Sequence, residues 1–377
     1  MAVPFIDIKR FEPGFMERWL ERVGEISLGA SFIGGETVAR MEKRLADYAE
    51  TEFAVSCANG TDALQLALRA IGVGPGDTVL LPDATFWATF EAVVNVAARP
   101  VTVDVRREDQ SIDPGLLQGA LEKHKPAAVM LVNLYGWGSS DLEGIRATVA
   151  AAGIPLIEDS AQAFGVRYRD RSIFSGAKIA TTSFYPAKVL GAAGDGGAVF
   201  CSDEIIADKV RRLANHGRAS HYGHDMIGWN SRMDSMQAAY VDLSLDYLDQ
   251  RIASRRESAA AYREQLKGLE GFEVVEAPEG YFENGYCNVC FVDSPQRKTK
   301  LEKALKEKQI GYATIYPCPV SEQEGARGFL HDRVKPTGKE TGARWVSDHA
   351  ISLPLFPYIR EEERNEVIKT VRSDLAD

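Results

Sequence analysis

The chain has 377 residues, 45% hydrophobic and 26% charged, the make-up of a globular protein large enough for one big domain and a smaller companion. Its net charge of −10 lacks the basic footprint that non-specific nucleic-acid binding requires. No apolar run reaches the ~18 residues of a membrane span, no signal-peptide pattern opens the chain, and five scattered cysteines suit a reducing compartment, so a cytoplasmic protein with neither membrane nor nucleic-acid partners is expected.

In chain order, short apolar runs alternate with segments of helical period, the pattern of an α/β fold with a mostly parallel sheet. Strands are expected at 52–57, 77–82, 100–105, 127–136, 154–159, 179–184 and 197–202. Helices are expected between them at 61–71, 89–97, 114–124 and 142–153, and after them at 204–217. One long helix is expected from Asp234 to Leu269, followed by β-rich pieces, a helix at 296–309 and a terminal helix from about Arg360. The division this suggests is a large domain, residues 1–249, with a seven-stranded sheet flanked by helices, and a small C-terminal α+β domain, residues 250–377.

Cys287 and Cys290 have C-x-x-C spacing but lie inside the apolar run "YCNVCFVD", where they read as small strand residues; no second pair completes a zinc site, and no metal is expected. The glycine clusters "GVGPGD" (72–77) and "GAAGDGG" (191–197) both precede strands. A dinucleotide loop follows a strand and opens a helix, so a nicotinamide dehydrogenase is disfavoured.

In open α/β sheets ligands collect at the carboxyl ends of strands, and three such ends carry polar residues. In "SCANGTDALQLAL" the amides at a helix start and the Thr61 hydroxyl suit a phosphate, with Gly60 allowing close backbone approach; a plain N-cap by Thr61 or Asp62 is the structural alternative. In "IPLIEDSAQAFG", Glu158 and Asp159 end a strand, where a carboxylate could hold a protonated heterocyclic nitrogen or simply cap a helix from Ser160. In "TTSFYPAKVLGAAGDGGAVF", Ser183 ends a strand and Lys188 stands among apolar residues and glycines, a setting that lowers an amine's pKa and makes it a nucleophile and base. Lysine, carboxylate and phosphate cradle together describe a site for pyridoxal 5'-phosphate.

The sequence resembles the pyridoxal-phosphate-dependent nucleotide-sugar aminotransferases, the DegT/DnrJ/EryC1/StrS group of the fold-type I class. The likeness runs through "FIDIKR", "CANGTDALQLAL", "GVGPGDTVLLPDATFWAT", "PVTVDV", "IEDSAQAFG", "SFYPAKVLGAAGDGGAV", "NHGRASHYGHDMIGWNSRMDSMQAA" and "IYPCPV", in family order. It implies that Lys188 carries the cofactor as a Schiff base, Asp159 pairs with the pyridine nitrogen, and Gln162 contacts the ring or its hydroxyl. Phe86 would stack on the ring, with the Trp87 side chain pointing elsewhere, and Gly60, Thr61 and Ser183 would hold the phosphate. It further implies a homodimer with the active site at the subunit interface, Asn230 reaching the phosphate from the partner subunit, and Arg232 and Tyr316 contacting substrate. Two departures stand out: Ile315 occupies a position where the family commonly has histidine, and Gly35-Glu36-Thr37 replaces a family G-P-E. Lysine at 188 separates the chain from the family's dehydratase branch, which has histidine there.

The activity implied is transfer of an amino group from L-glutamate to a keto-sugar nucleotide, the cofactor passing through pyridoxamine 5'-phosphate. The favoured acceptor is a UDP-linked 3-keto-N-acetylhexosamine or its uronic acid; a dTDP-3-keto-6-deoxyhexose or a 4-keto sugar is the alternative. Products would feed surface polysaccharide, lipopolysaccharide or a glycosylated natural product. A non-catalytic relative that binds the cofactor or sugar nucleotide is the reading from a different class.

Overall fold

The computed structural model describes residues 1–220 and 222–375, so His221 and the last two residues of the expected small domain lie outside the description. Strands are β1 (Phe53–Cys57), β2 (Thr78–Pro82), β3 (Arg99–Val103), β4 (Ala128–Val132), β5 (Leu156–Asp159), β6 (Arg167–Tyr168), β7 (Arg171–Ser172), β8 (Ile179–Ser183) and β9 (Gly197–Cys201). They continue with β10 (Phe272–Val274), β11 (Tyr281–Phe282), β12 (Asn288–Val292), β13 (Asp332–Val334) and β14 (Ala350–Leu353). Helices are α1 (Phe15–Leu28), α2 (Gly35–Ala49), α3 (Gly60–Ala70), α4 (Trp87–Asn95), α5 (Pro114–His124), α6 (Leu142–Ala151) and α7 (Glu204–Leu213), then α8 (Ser235–Leu245), α9 (Leu248–Leu266), α10 (Pro295–Glu307), α11 (Gly342–His349) and α12 (Glu361–Leu375).

The main sheet has the order β1-β9-β8-β5-β4-β2-β3-β13. All seven expected strands are in it, and an eighth, β13, joins the outer edge of β3 from the C-terminal part of the chain. Pairings from β8 through β13 are parallel, while β9 runs antiparallel to both β8 and β1. Alternation along each strand splits the core in two. Leu80, Val101 and Leu131 face one layer with Met41 and Leu45 of α2 and Leu117 of α5. Val79, Leu81 and Met130 face the other, with Leu66 of α3, Val93 of α4 and Val210 of α7. Burial on both faces is why these strands read as continuous apolar runs.

The long helix expected from Asp234 to Leu269 is instead two, α8 and α9. Between them the amides of Asp246 and Tyr247 bond back only three residues, to Leu243 and Ser244. The cause is tertiary: Arg44 grips both Asp242 and Asp246, Arg22 and Arg40 add to Asp242, and Tyr247 lies against Phe15 and Arg18 of α1. No proline or glycine marks this break in the sequence. After α9, β10, β12 and β14 form an antiparallel sheet packed on α10 and α12. Val3, from the start of the chain, is buried in that same cluster.

Candidate active site

The C-terminal ends of β1, β2, β4, β5 and β8 lie on one side of the sheet, and the loops leaving them surround a cavity of about 670 Å³. Lys188, Asp159, Gly60, Thr61, Ser183, Phe86, Gln162 and Tyr316 all line it. The distant stretches that carried the sequence reading therefore meet at one place.

The start of α3 forms one end. The N-cap is neither Thr61 nor Asp62 but Asn59, whose side chain accepts the Asp62 N–H at 2.8 Å. This leaves the first-turn amides of Gly60 and Thr61 without intrahelical partners, the arrangement that receives anions. A β-carbon on Gly60 would lie 2.6 Å from the Ser183 Cβ, so only glycine lets the helix start seat against the end of β8. Gly191 has an equivalent role: a β-carbon there would sit 2.6 Å from the Pro186 carbonyl oxygen, inside the turn that presents Lys188.

Strand alternation sends Glu158 and Asp159 to opposite faces. Glu158 is buried in a bidentate pair with Arg146, at 2.8 and 3.0 Å, away from the cavity. Asp159 faces the cavity; its Oδ2 accepts the Thr89 hydroxyl at 2.9 Å and its Oδ1 accepts the Ala161 N–H at 3.1 Å. No helix starts at Ser160, so the capping alternative does not apply. Burial pushes the Asp159 pKa up, opposed by Ala161 N–H, Thr89 and the charge of Lys188.

Lys188 follows a tight turn closed by its own N–H on the Tyr185 carbonyl at 2.8 Å. Its Nζ donates to the Tyr286 hydroxyl at 3.3 Å and lies 4.8 Å from the centre of that ring. Burial draws the amine's pKa below its ordinary value, while Asp159 and Cys287 pull the other way. The amine is thus easier to deprotonate than a surface lysine.

Gln162 spends both ends of its amide on the protein. Oε1 accepts the Tyr135 N–H at 2.6 Å and Nε2 donates to the Tyr316 hydroxyl at 2.8 Å. Phe86 is 56% exposed and its ring centre is 5.7 Å from that of Tyr316. Trp87 turns away, stacking on Phe90 and closing over Gly325. Ile315 lines the cavity, and its carbonyl accepts the Tyr135 hydroxyl at 2.6 Å.

Asn230 and Arg232 do not line this cavity. Asn230 is exposed and bridges to Asn215, and Arg232 Nη1 donates to Asn215 Oδ1 at 2.8 Å. Among the described lining residues Lys188 is the one cation, set against the carboxylates of Asp62, Glu91, Asp159 and Asp195. Cys287 and Cys290 are buried free thiols, Cys290 within β12. Sequence reading missed Thr89 and Tyr286. Thr89 stands one helical turn beyond Phe86, so helical spacing could have found it; nothing local to "NGYCN" announces Tyr286.

An amine of lowered pKa facing a buried carboxylate, with a helix start for a phosphate, is the layout of a pyridoxal-phosphate-dependent transferase. The DegT/DnrJ/EryC1/StrS aminotransferase family model matches residues 15–372, and the chain belongs to that family. A UDP-N-acetyl-3-dehydro-α-D-glucosamine 3-aminotransferase of Acidithiobacillus ferrooxidans is 36% identical, over 99% of this chain and 98% of its own. A UDP-2-acetamido-2-deoxy-3-oxo-D-glucuronate aminotransferase of Pseudomonas aeruginosa is 34% identical, over 95% of this chain and 96% of its own. The crystal structure of S. venezuelae DesV in complex with a ketimine intermediate superposes with a TM-score of 0.93 at 33% identity, covering 100% of this chain and 99% of that one. The protein is a pyridoxal-phosphate-dependent sugar aminotransferase. Among the described residues no helix is long and apolar enough to cross a membrane.

Proposed function

We propose that the protein moves an amino group from L-glutamate to the 3-keto group of a UDP-linked N-acetylhexosamine or its uronic acid. The observation that carries the chemistry is Lys188 and Asp159 on one cavity wall, the amine with a lowered pKa and the carboxylate buried. The two UDP-sugar relatives, matched over nearly their full lengths, support the acceptor.

The residues fit the cofactor. Asp159 would hold the pyridine nitrogen, Gly60, Thr61 and Ser183 the phosphate, Phe86 the ring face, and Gln162 the ring or its hydroxyl. Bound there, pyridoxal phosphate supplies an electron sink for the carbanion left when the donor's Cα loses its proton. Lys188 would take that proton on Nζ and give it up from the same atom, and with the keto sugar the amine would work in reverse. Asp159 keeps the ring nitrogen protonated by presenting a fixed negative charge where little water competes. Tyr316, held by Gln162, would face the sugar nucleotide.

The lining's charge favours a homodimer. A phosphate dianion and a nucleotide diphosphate need more cation than Lys188 offers, and Asn230 and Arg232 stand outside their own cavity. Asn230 of the partner subunit would reach the phosphate and Arg232 of the partner subunit a substrate carboxylate. In this reading residues 1–249 carry the cofactor wall, residues 250–377 close it with Tyr286 and Tyr316, and the enzyme works in the cytoplasm, where sugar nucleotides are made.

The test is optical. The purified protein should be yellow, bleach with L-glutamate, and regain colour with a UDP-3-keto-N-acetylhexosamine. Recovery only with dTDP-3-keto or 4-keto sugars rejects the acceptor, and failure to bleach rejects the donor. Lys188→Ala should abolish turnover.

A further inference from the structure

Tyr286 is the only residue of its turn that reaches the cavity, and the turn is built to bring it there. Asn284 is fully buried. Its amide nitrogen donates to the Gln162 and Phe164 carbonyls, each at 2.9 Å, while its Oδ1 accepts the Tyr286 N–H at 2.9 Å. The backbone adds Asn284 N–H to the Gly136 carbonyl at 3.2 Å and Cys287 N–H to the Tyr135 carbonyl at 3.1 Å. The turn is thereby tied to the loops that follow β4 and β5, the latter holding Gln162 and leading on from Asp159.

Two glycines permit this closeness. Gly285 has φ +67°, and a β-carbon there would lie 2.7 Å from the Arg255 Cβ. Gly136 has φ +108°, and its β-carbon would lie 3.1 Å from the Tyr286 nitrogen. Both combine a left-handed backbone with no room for a side chain. From the far side Arg255 Nη1 donates to the Gly285 carbonyl at 3.2 Å. The outcome is a hydroxyl 3.3 Å from Lys188 Nζ, the one hydrogen-bond partner of that amine among the described residues.

We propose that Tyr286 is a further catalytic residue, whose hydroxyl accepts a hydrogen bond from Lys188 Nζ and holds the amine in line while it carries the proton. The inference rests on the aminotransferase reading of Lys188. No bond to Tyr286 is made or broken: the proton travels from the donor Cα to Nζ and on to the acceptor carbon, and Tyr286 keeps its own. Burial drives the Tyr286 phenol upward against the pull of Arg255, so it stays a neutral hydroxyl. The titratable groups facing Lys188 are Asp159, Cys287 and Tyr286; those facing Tyr286 also include Arg255, Tyr185 and Tyr316. An acceptor on the ammonium favours its charged form, so removing the Tyr286 oxygen is expected to ease deprotonation of Lys188.

Tyr286→Phe keeps the ring and removes only the oxygen. In cofactor-free protein, acylation of Lys188 by acetic anhydride across pH, read by peptide mass spectrometry, reports protonation without turnover. The midpoint should move to lower pH in Tyr286→Phe, with kcat lowered about ten- to a hundredfold, the scale of one hydrogen bond to a charged group, and the KM for sugar nucleotide unchanged. Tyr286→Leu, a second variant, should move the midpoint further, because the ring face beneath the ammonium is lost too. An unmoved midpoint and wild-type kcat in Tyr286→Phe overturn the proposal. Lys188→Ala run alongside separates the two readings: activity surviving there removes the role of Lys188 itself, whereas loss there beside a wild-type Tyr286→Phe removes only Tyr286.

Discussion

Thr89 donates its hydroxyl to Asp159 Oδ2 at 2.9 Å, and this bond ties the first turn of α4 to the end of β5. The loop before α4 carries Phe86, so the residue proposed for the ring face and the one proposed for its nitrogen are set by one contact. Thr89→Val removes that donor and leaves Asp159 with the Ala161 N–H alone among its protein donors. Cofactor affinity should fall roughly tenfold, the scale of one hydrogen bond to a charged acceptor, as measured by titrating the cofactor-free protein.

Asp159 also predicts a pH dependence. Its folded pKa is raised above the ordinary value of 3.8 by burial, so in cofactor-free protein the folded state holds a proton that the unfolded state releases. The stability this group allows is therefore present at low pH and declines as pH rises from the unfolded pKa through the folded one. Asp159→Asn lacks the decline: its Tm should match wild type at the acid end, exceed it increasingly as pH rises through that window, and keep a constant margin above it. The same variant should lose about a hundredfold or more in kcat, since the fixed charge is gone. A Tm difference that shrinks with rising pH would contradict the assignment.

Gly60→Ala places a methyl group 2.6 Å from the Ser183 Cβ. The helix start or the end of β8 must shift, at a cost of about 1–3 kcal/mol typical of overpacking. Thermal unfolding should show the loss, and phosphate-containing cofactor should bind more weakly than in wild type.

Arg146→Met tests the paired carboxylate that faces away from the cavity. Glu158 is 1% exposed and would be left unpaired, costing about 3–5 kcal/mol by denaturant titration. Its pKa, already pushed up by burial, would lose the opposing pull of Arg146. The folded fraction should keep wild-type kcat, which distinguishes Glu158 from its sequence neighbour.

The large sheet was legible because strands buried on both faces are written as continuous apolar runs, as Val79 through Leu81 and Ala128 through Val132 are. That Lys188, Asp159 and Gly60 would meet at one cavity was legible because each ends a sheet strand or closely follows one. What escaped depends on distant partners. The break between α8 and α9 is made by arginines of α1 and α2 some 200 residues earlier, such as Arg44 on Asp242 at |i−j| = 198. β13 is three residues long and pairs with β3 from across the chain. Tyr286 reaches Lys188 from 98 residues away through a turn whose purpose appears only when Asn284 meets the Gln162 loop. Adjacent carboxylates were inseparable too, until alternation placed Glu158 on Arg146 and Asp159 at the cavity.

Lys188 is proposed as the amine that holds the cofactor. Reducing the yellow protein with borohydride and mapping the pyridoxyl group by peptide mass spectrometry tests it directly. A single modified peptide bearing the group on Lys188 is expected; a pyridoxyl group on any other lysine, or an unmodified Lys188 in fully reduced protein, would contradict that role.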